Sequence, residues 1–426
     1  MVKFVIAHVI SMLWLAFSIY LSKKWIVELA EIISFPLALL SITGIAYIPG
    51  YLNAFMVCSL LLDRQPKFKV ERPDIPVTVL IAAWNEEKGI TDTLAQIAKQ
   101  EYAGKIHVIV IDNNSKDCTS AMGRIFGSLL GLNITVVNER RPGKNYALNT
   151  GLKYVKTDWV LTLDADTLLH KDAINNIVAR MVSAPPDVCA VAGAVLVRNS
   201  RGTLLGKIQE WDYFLAIASV KRLQGMYQQT LVAQGAFSLY KTEVVKEMGG
   251  WPDVIGEDIV LTWKFLKQGY KVFFEPTAVS FTTVPTSLVH FIRQRSRWAR
   301  GMIEGLKAVK PWEQPHIAGK YLTGVNLVMP LIDFTYTFCW IPGVFLAFCG
   351  KYWIVGPLSL LVLPITFLSY YILFTYQKSV FRKLGLRVRK NLFGLVLFTL
   401  GYQIIMSPVS VWGYLQEVLN LRRVWK

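Results

Sequence analysis

Five short groups of side chains in this sequence have the make-up of a reaction centre rather than of a solvated surface. In order they are Trp84-Asn85-Glu86, Asp112-Asn113-Asn114-Ser115, Asp164-Ala165-Asp166, Gly256-Glu257-Asp258 and Gln294-x-x-Arg297-Trp298. Paired carboxylates suit two tasks: holding a hard divalent cation through oxygen, and taking a proton from a hydroxyl. An arginine beside an amide suits an anionic group, through charge-assisted hydrogen bonds. Each group is weak alone. A D-x-D triplet arises often by chance, and Asp112-Asn113-Asn114 passes as an ordinary turn.

Position gives them weight. Val77–Ala82 (VTVLIA) predicts a buried parallel strand and Lys88–Gln100 its crossover helix. His107–Ile111, Ile134–Val137 and Trp159–Leu163 predict further strands. Continuous β-branched runs separated by helices indicate an α/β domain with a doubly wound, mostly parallel sheet. Ligands bind such sheets beyond the carboxyl ends of the strands. The Trp84, Asp112 and Asp164 groups fall at the ends of the first, second and fourth strands, so they share one edge. Gly256-Glu257-Asp258 opens a later helix.

On a helical wheel, Leu288–Leu306 gathers Leu288, Phe291, Ile292, Ala299, Met302, Ile303 and Leu306 on a broad apolar side. Arg293, Ser296 and Arg300 form a basic edge, and Gln294, Arg297 and Trp298 a third stripe. Such a helix suits the bilayer interface, which leaves the third stripe free to face a pocket. The plain alternative makes Trp298 an interface anchor and Arg297 a headgroup contact.

The rest of the chain explains why an interface helix is expected. Of 426 residues, 53% are hydrophobic, more than a soluble domain carries. Phe4–Leu21 and Pro36–Leu62 contain no Asp, Glu, Lys or Arg, and Gly324–Tyr376 is interrupted only by Asp333 and Lys351. Each run suffices for one or two crossings of roughly 20 residues. Ser22-Lys23-Lys24 follows the first run in place of a small-residue cleavage site, so it reads as a retained anchor. The expected division is two N-terminal transmembrane helices over 1–62 and a cytosolic catalytic domain over 63–284. Amphipathic interface helices follow over 285–320, then a C-terminal transmembrane region over 321–426.

The net charge of +17 fits positive-inside topology, with Lys378–Lys390 and Arg422–Lys426 on the cytoplasmic side of a plasma (inner) membrane. Lys23 and Lys24 then fall outside, a mild violation of that rule. The basic residues hug membrane ends and make no aromatic-interleaved stripe, which argues against a nucleic-acid partner. Leu392–Leu421, with Ser407-Pro408 in its middle, reads equally as one crossing or a re-entrant hairpin. Five scattered cysteines support neither a disulfide framework nor a zinc site. Gly143-Lys144 lacks the remainder of a P-loop, and no G-x-G-x-x-G follows a strand, which disfavours a dinucleotide cofactor.

The five groups, in this order and with flanking membrane helices, resemble the processive membrane family 2 glycosyltransferases. These are the synthases of cellulose, chitin, hyaluronan and poly-N-acetylglucosamine. The resemblance covers residues from about 76 to 305 and implies a GT-A-type domain. Leu205–Gln209, Asp212-Tyr213, Lys221-Arg222 and Gln294–Ala299 are similar in particular to the bacterial poly-β-1,6-N-acetylglucosamine synthases. Three departures stand out: Asp112-Asn113-Asn114-Ser115 for Asp-Asp-Gly-Ser, Gly256 for the Thr of Thr-Glu-Asp, and Gln234-Gly235 for Ser-Gly. The third leaves acceptor or polymer identity open.

The resemblance implies a UDP-sugar donor, contacted by Trp84, Glu86, Asp112, Lys144, Asp164, Gln294 and Arg297. It implies that Trp84 stacks on the base and Asp112 binds the uridine; for Lys144 a plain helix-start lysine is the alternative. Asp166, supported by Asp164, is the expected ligand of Mg²⁺ or Mn²⁺. Asp258 is the expected general base with Glu257 beside it, and Trp298 the face for an acceptor sugar. The expected reaction is inverting polymerisation of a UDP-sugar, most readily UDP-N-acetylglucosamine, onto a growing glycan that crosses the membrane. Single transfer to a lipid or glycan acceptor, and another polymer such as hyaluronan, chitin or cellulose, are the alternatives. A small membrane accessory subunit is implied by resemblance only. Asp333 reads either as lining a polymer path or as a helix-packing carboxyl.

Overall fold

The computed structural model describes residues 2–356 and 362–421, so the basic cluster Arg422–Lys426 lies outside the described residues. Its centre is an eight-stranded sheet. The strands are β1 (Val77–Ala83), β2 (Ile106–Asp112), β3 (Asn133–Asn138), β4 (Trp159–Asp164), β5 (Leu168–Leu169), β6 (Val188–Val197), β7 (Phe237–Lys241) and β8 (Lys271–Thr282). They lie in the order β3-β2-β1-β4-β7-β6-β8-β5. The first four are parallel, as their unbroken apolar runs require. Beyond β4 the sheet is mixed, because β7 runs antiparallel to both β4 and β6, and β5 antiparallel to β8.

Register places the chemistry. Ala83 pairs with Asp112 and Ala82 with Asp164, so both aspartates stand at the same edge. An antiparallel strand begins where its parallel neighbour ends. Leu163 pairs with Phe237, which delivers the segment just before β7, Gln234-Gly235-Ala236, to the end of β4. The sheet is covered on both faces. Helices Gly89–Ala98 and Ala173–Ser183 bury Ile90, Leu94, Ile174 and Ile177 against one. Helices Lys144–Leu152 and Glu257–Lys267 bury Leu148, Trp263 and Phe265 against the other.

Among the described residues, four helices are long and apolar enough to cross a membrane: Val2–Ile33, Phe35–Leu61, Ile317–Phe348 and Leu392–Val418. The last is one continuous helix through Pro408, not a hairpin. A further helix, Val362–Lys383, takes up the expected return segment, whose start overlaps residues outside the description. Asp333 is a packing group: it accepts hydrogen bonds from Ser407 Oγ at 3.0 Å and Tyr414 OH at 2.7 Å. Burying a carboxyl in such a bundle requires partners of this kind.

The amphipathic helix Leu288–Ala308 rests on the last membrane helix. A Cβ on Gly413 would fall 2.4 Å from the Ser296 carbonyl, so only glycine permits this approach. The expected basic edge is split by that contact. Arg293 stays exposed, whereas Ser296 and Arg300 are buried. Arg300 pairs with Glu417 at 2.8 Å. Further ties join sheet domain and membrane helices: Arg222 to Asp63 at 2.5 Å, and the Trp211 indole N–H to the Asn391 carbonyl at 2.7 Å.

Candidate active site

The strand-end loops after β1 and β2 are stitched to each other. Asn85 and Glu86 donate backbone N–H groups to the hydroxyls of Ser115 and Thr119, at 3.0 and 2.8 Å. The Asn85 side chain accepts from the Lys116 N–H at 2.8 Å. Asn85 and Asn114 both have positive φ, 55° and 63°, a conformation asparagine tolerates better than most residues. The result holds Trp84, 38% exposed, above the half-buried Glu86, with Asp112 accepting from the Ser115 N–H at 3.0 Å.

Asn113 explains one departure from the family pattern. Its amide nitrogen donates to the carbonyls of Glu139 and Arg141, at 3.2 and 2.6 Å, while its oxygen accepts from the Gly143 N–H at 2.8 Å. An aspartate could not make the two donations. The clamp fixes the turn that launches helix Lys144–Leu152. Lys144 is thereby aimed at Asp164, with which it forms an ion pair. Burial opposes the lysine's charge, but Asp164, Glu257 and Asp258 outweigh it and hold its pKa above the ordinary value.

Asp166 sits in the same cluster. Burial, then the charge of Asp164, push its pKa up to about 6, opposed by Lys144 and a hydrogen bond from the Thr282 hydroxyl at 3.4 Å. Glu257 is fully enclosed beside Asp258, and burial together with that neighbour drives its pKa well above the usual carboxyl range. Glu257 and Asp258 occupy the first turn of their helix, where the positive end of the helix dipole faces them. Asp258 accepts from the Ile259 N–H at 2.8 Å and the Gly235 N–H at 3.3 Å.

A glycine contact brings in the interface helix. A Cβ on Gly256 would lie 2.7 Å from the Cα of Gly301, so the two backbones touch. Glu304 accepts from the Gly256 N–H at 2.8 Å. One helical turn before Gly301 is Arg297, whose charge is opposed by burial but supported by Glu257 and Asp164. Asp164, Asp166, Lys144, Glu257, Asp258 and Arg297 therefore share one electrostatic neighbourhood. Gln294 lies a turn earlier, and its side-chain oxygen is buried without a hydrogen-bond partner among the described residues.

Trp298 is 42% exposed, with the Arg295 guanidinium 4.1 Å from its ring centroid. Arg295 pairs with Asp212 at 2.6 Å, both nearly inaccessible. Neither Arg295 nor Gly235 was expected here from composition or spacing. Arg295 and Asp212 both lie in stretches that carry the family resemblance, but their pairing, across 83 positions, shows only in three dimensions. Lys221 is likewise buried close to Asp258 and is absent from the expected set.

The carboxylates have part of the make-up of a metal site. Asp166 is pushed toward its protonated form first by burial and then by the charge of Asp164, an oxygen pair that a cation would relieve. Among the described residues no group of three or more His, Cys, Asp or Glu could hold an ion alone. The donor set fits a divalent cation that takes its other ligands from phosphate oxygens and water, and does not fit a closed structural site.

Residues 73–301, more than half the chain, match the family described as Glycosyltransferase like family 2. A poly-beta-1,6-N-acetyl-D-glucosamine synthase of Staphylococcus aureus is 34% identical over 241 residues, 56% of this chain and 57% of that protein. One from Staphylococcus epidermidis is 31% identical over 260 residues, covering 61% and 62%. The chain thus spans about three fifths of the length of these relatives. The solved mannosyltransferase PcManGT of Pyrobaculum calidifontis, in complex with GDP-Man and Mn²⁺, superposes with a TM-score of 0.58 at 21% identity. It covers 88% of this chain and 99% of its own, a likeness of fold. With its GT-A-like mixed sheet, apolar helices at both ends and family match, the chain belongs to glycosyltransferase family 2.

Proposed function

We propose that the chain is a processive, inverting β-glycosyltransferase that polymerises a UDP-sugar, UDP-N-acetylglucosamine, and passes the polymer through its membrane region. The catalytic domain faces the cytosol from the plasma (inner) membrane, with the boundaries expected from the sequence. The observation that carries this reading is the gathering of Asp164, Asp166, Glu257, Asp258, Lys144 and Arg297 at one sheet edge, against a membrane-attached helix. The relatives named poly-β-1,6-N-acetylglucosamine synthase support the sugar.

In this reading Trp84, Glu86 and Asp112 hold the nucleotide over the β1 and β2 ends. Asp166 and Asp164 would hold Mg²⁺ or Mn²⁺, which when bound would supply positive charge to the diphosphate. Lys144, Arg297 and Gln294 face the same anion, and their contacts strengthen as the glycosidic bond to the donor breaks. Asp258 takes the proton from the acceptor hydroxyl, with Glu257 beside it. Trp298 presents its ring to the acceptor sugar, backed by Arg295. Attack from the side opposite the diphosphate inverts an α-linked donor to a β-linked product.

Single transfer to a lipid or glycan acceptor is the second reading, and one observation favours it. Asp333, the intramembrane carboxylate, is consumed by Ser407 and Tyr414 and so adds nothing to a polar path. The test is purified full chain in lipid with a panel of UDP-sugars and Mg²⁺ or Mn²⁺, scoring UDP release and product length. Long products from UDP-N-acetylglucosamine are expected. A single-sugar product ends the processive reading, and absence of UDP release from every donor ends the enzymatic one.

A further inference from the structure

The segment leading into β7 is held at almost every residue by a side chain from a different element. The Leu231 N–H donates to the Gln224 side chain at 3.1 Å. Lys221 Nζ donates to the Val232 carbonyl at 3.0 Å. The Ala233 N–H donates to the Thr262 hydroxyl at 3.0 Å, and the Ala233 carbonyl accepts from the Tyr240 hydroxyl at 2.6 Å. The Gln234 amide donates to the Gly193 carbonyl at 2.6 Å. The segment ends at Gly235, whose N–H meets Asp258 and where a Cβ would lie 2.8 Å from Lys144 Nζ, so that a side chain would have to displace that ammonium.

One of these clamps is chemically out of place. A threonine, tyrosine or glutamine can hold a backbone group at no charge cost, whereas Lys221 brings an ammonium into a site where it is 8% exposed. A buried lysine without a carboxylate in direct contact is expensive to keep charged. Its Coulombic support comes from Asp258, across the clamped segment.

We propose that Lys221 is a positioning residue for Asp258: its ammonium fixes the Val232 carbonyl, and with it the strand of backbone that delivers the Gly235 N–H to the base. This rests on the assignment of Asp258 as the base. Burial pulls the Lys221 pKa down to about 7, against the opposing effect of Asp258, so the charge is present on the acid side of neutrality. The other charged or titratable groups facing Asp258 are Glu257 on its own helix, Lys144 on helix Lys144–Leu152 and Tyr240 on β7. Arg297 and Asp164 act on Glu257 from the next layer.

The experiment compares full-length parent, Lys221→Met, Lys221→Gln and Asp258→Asn in lipid, measuring UDP release from pH 5 to 9 together with the Kd for UDP. Lys221→Met removes bond and charge; Lys221→Gln keeps a donor for the Val232 carbonyl but no charge. Both are expected to keep the parent's affinity for UDP, which shows that a variant is folded. Lys221→Met is expected to lose roughly tenfold more of the plateau rate than Lys221→Gln, which retains a donor for the Val232 carbonyl. Equal plateau loss in the two variants, or no loss in Lys221→Met, overturns the inference. Turnover surviving in Asp258→Asn overturns instead the reading of the base on which it stands.

Discussion

Two sets of buried charges in this molecule are built on opposite principles. Away from the strand ends, carboxylates are buried with their counter-charge at contact distance: Glu275 with Arg180 at 2.6 Å, Asp212 with Arg295 at 2.6 Å, and Glu417 with both Arg300 at 2.8 Å and Lys307 at 2.7 Å. At the β4 end, Asp164, Asp166, Glu257 and Asp258 crowd around Lys144 and Arg297, and burial, then the neighbouring carboxylate, pushes Asp166 and Glu257 toward protonation. Matched pairs fix elements in place. An unmatched cluster has a deficit of positive charge, which a cation or an incoming proton can satisfy, and such clusters concentrate at reaction centres.

The largest test of this contrast removes the base. Asp258→Asn is expected to cut turnover by about a thousandfold or more while the Kd for UDP stays unchanged. Lost UDP binding would mean that Asp258 belongs to the donor contacts. Next in size is a matched pair: Glu275→Gln leaves Arg180 buried without its counter-charge and is expected to cost about 3–5 kcal/mol of stability. Thermal unfolding reads that loss, and turnover per folded molecule should survive it.

A smaller effect is expected from Glu257. Its folded pKa is raised by burial and by Asp258, so the favourable proton binding is fully present below the ordinary carboxyl value and is lost as pH rises through the folded one. The metal-free protein should therefore lose stability as pH rises above the carboxyl range, and Glu257→Gln should flatten that slope. A parallel slope in the variant would assign the effect to another group. The smallest effect belongs to an exposed pair: Lys171→Ala breaks the 2.7 Å contact with Glu101, and neither melting temperature nor turnover should change measurably.

The contrast also marks what the sequence makes legible. β1, β2 and β4 are continuous β-branched runs, and each ends directly in its functional group, so a period and a neighbour suffice to place Asp112 and Asp164. Glu257-Asp258 and Arg297 were readable as residue types by resemblance, but their meeting depends on Gly256 against Gly301, a contact no periodicity announces. The wheel of Leu288–Ala308 exposes Arg300 on paper because it cannot contain Glu417, which lies 117 positions away. β6 (VCAVAGAVLV) interrupts its valines with alanines and a glycine, and the mixed half of the sheet stays hidden with it.

The touching glycines have a mechanical meaning. With no side chains between them, the backbone that carries Glu257 and Asp258 has no compliant layer separating it from the helix seated on the last membrane segment. At that point a shift of the helix has to be shared by the turn that opens into Glu257 and Asp258, or the glycine contact is lost.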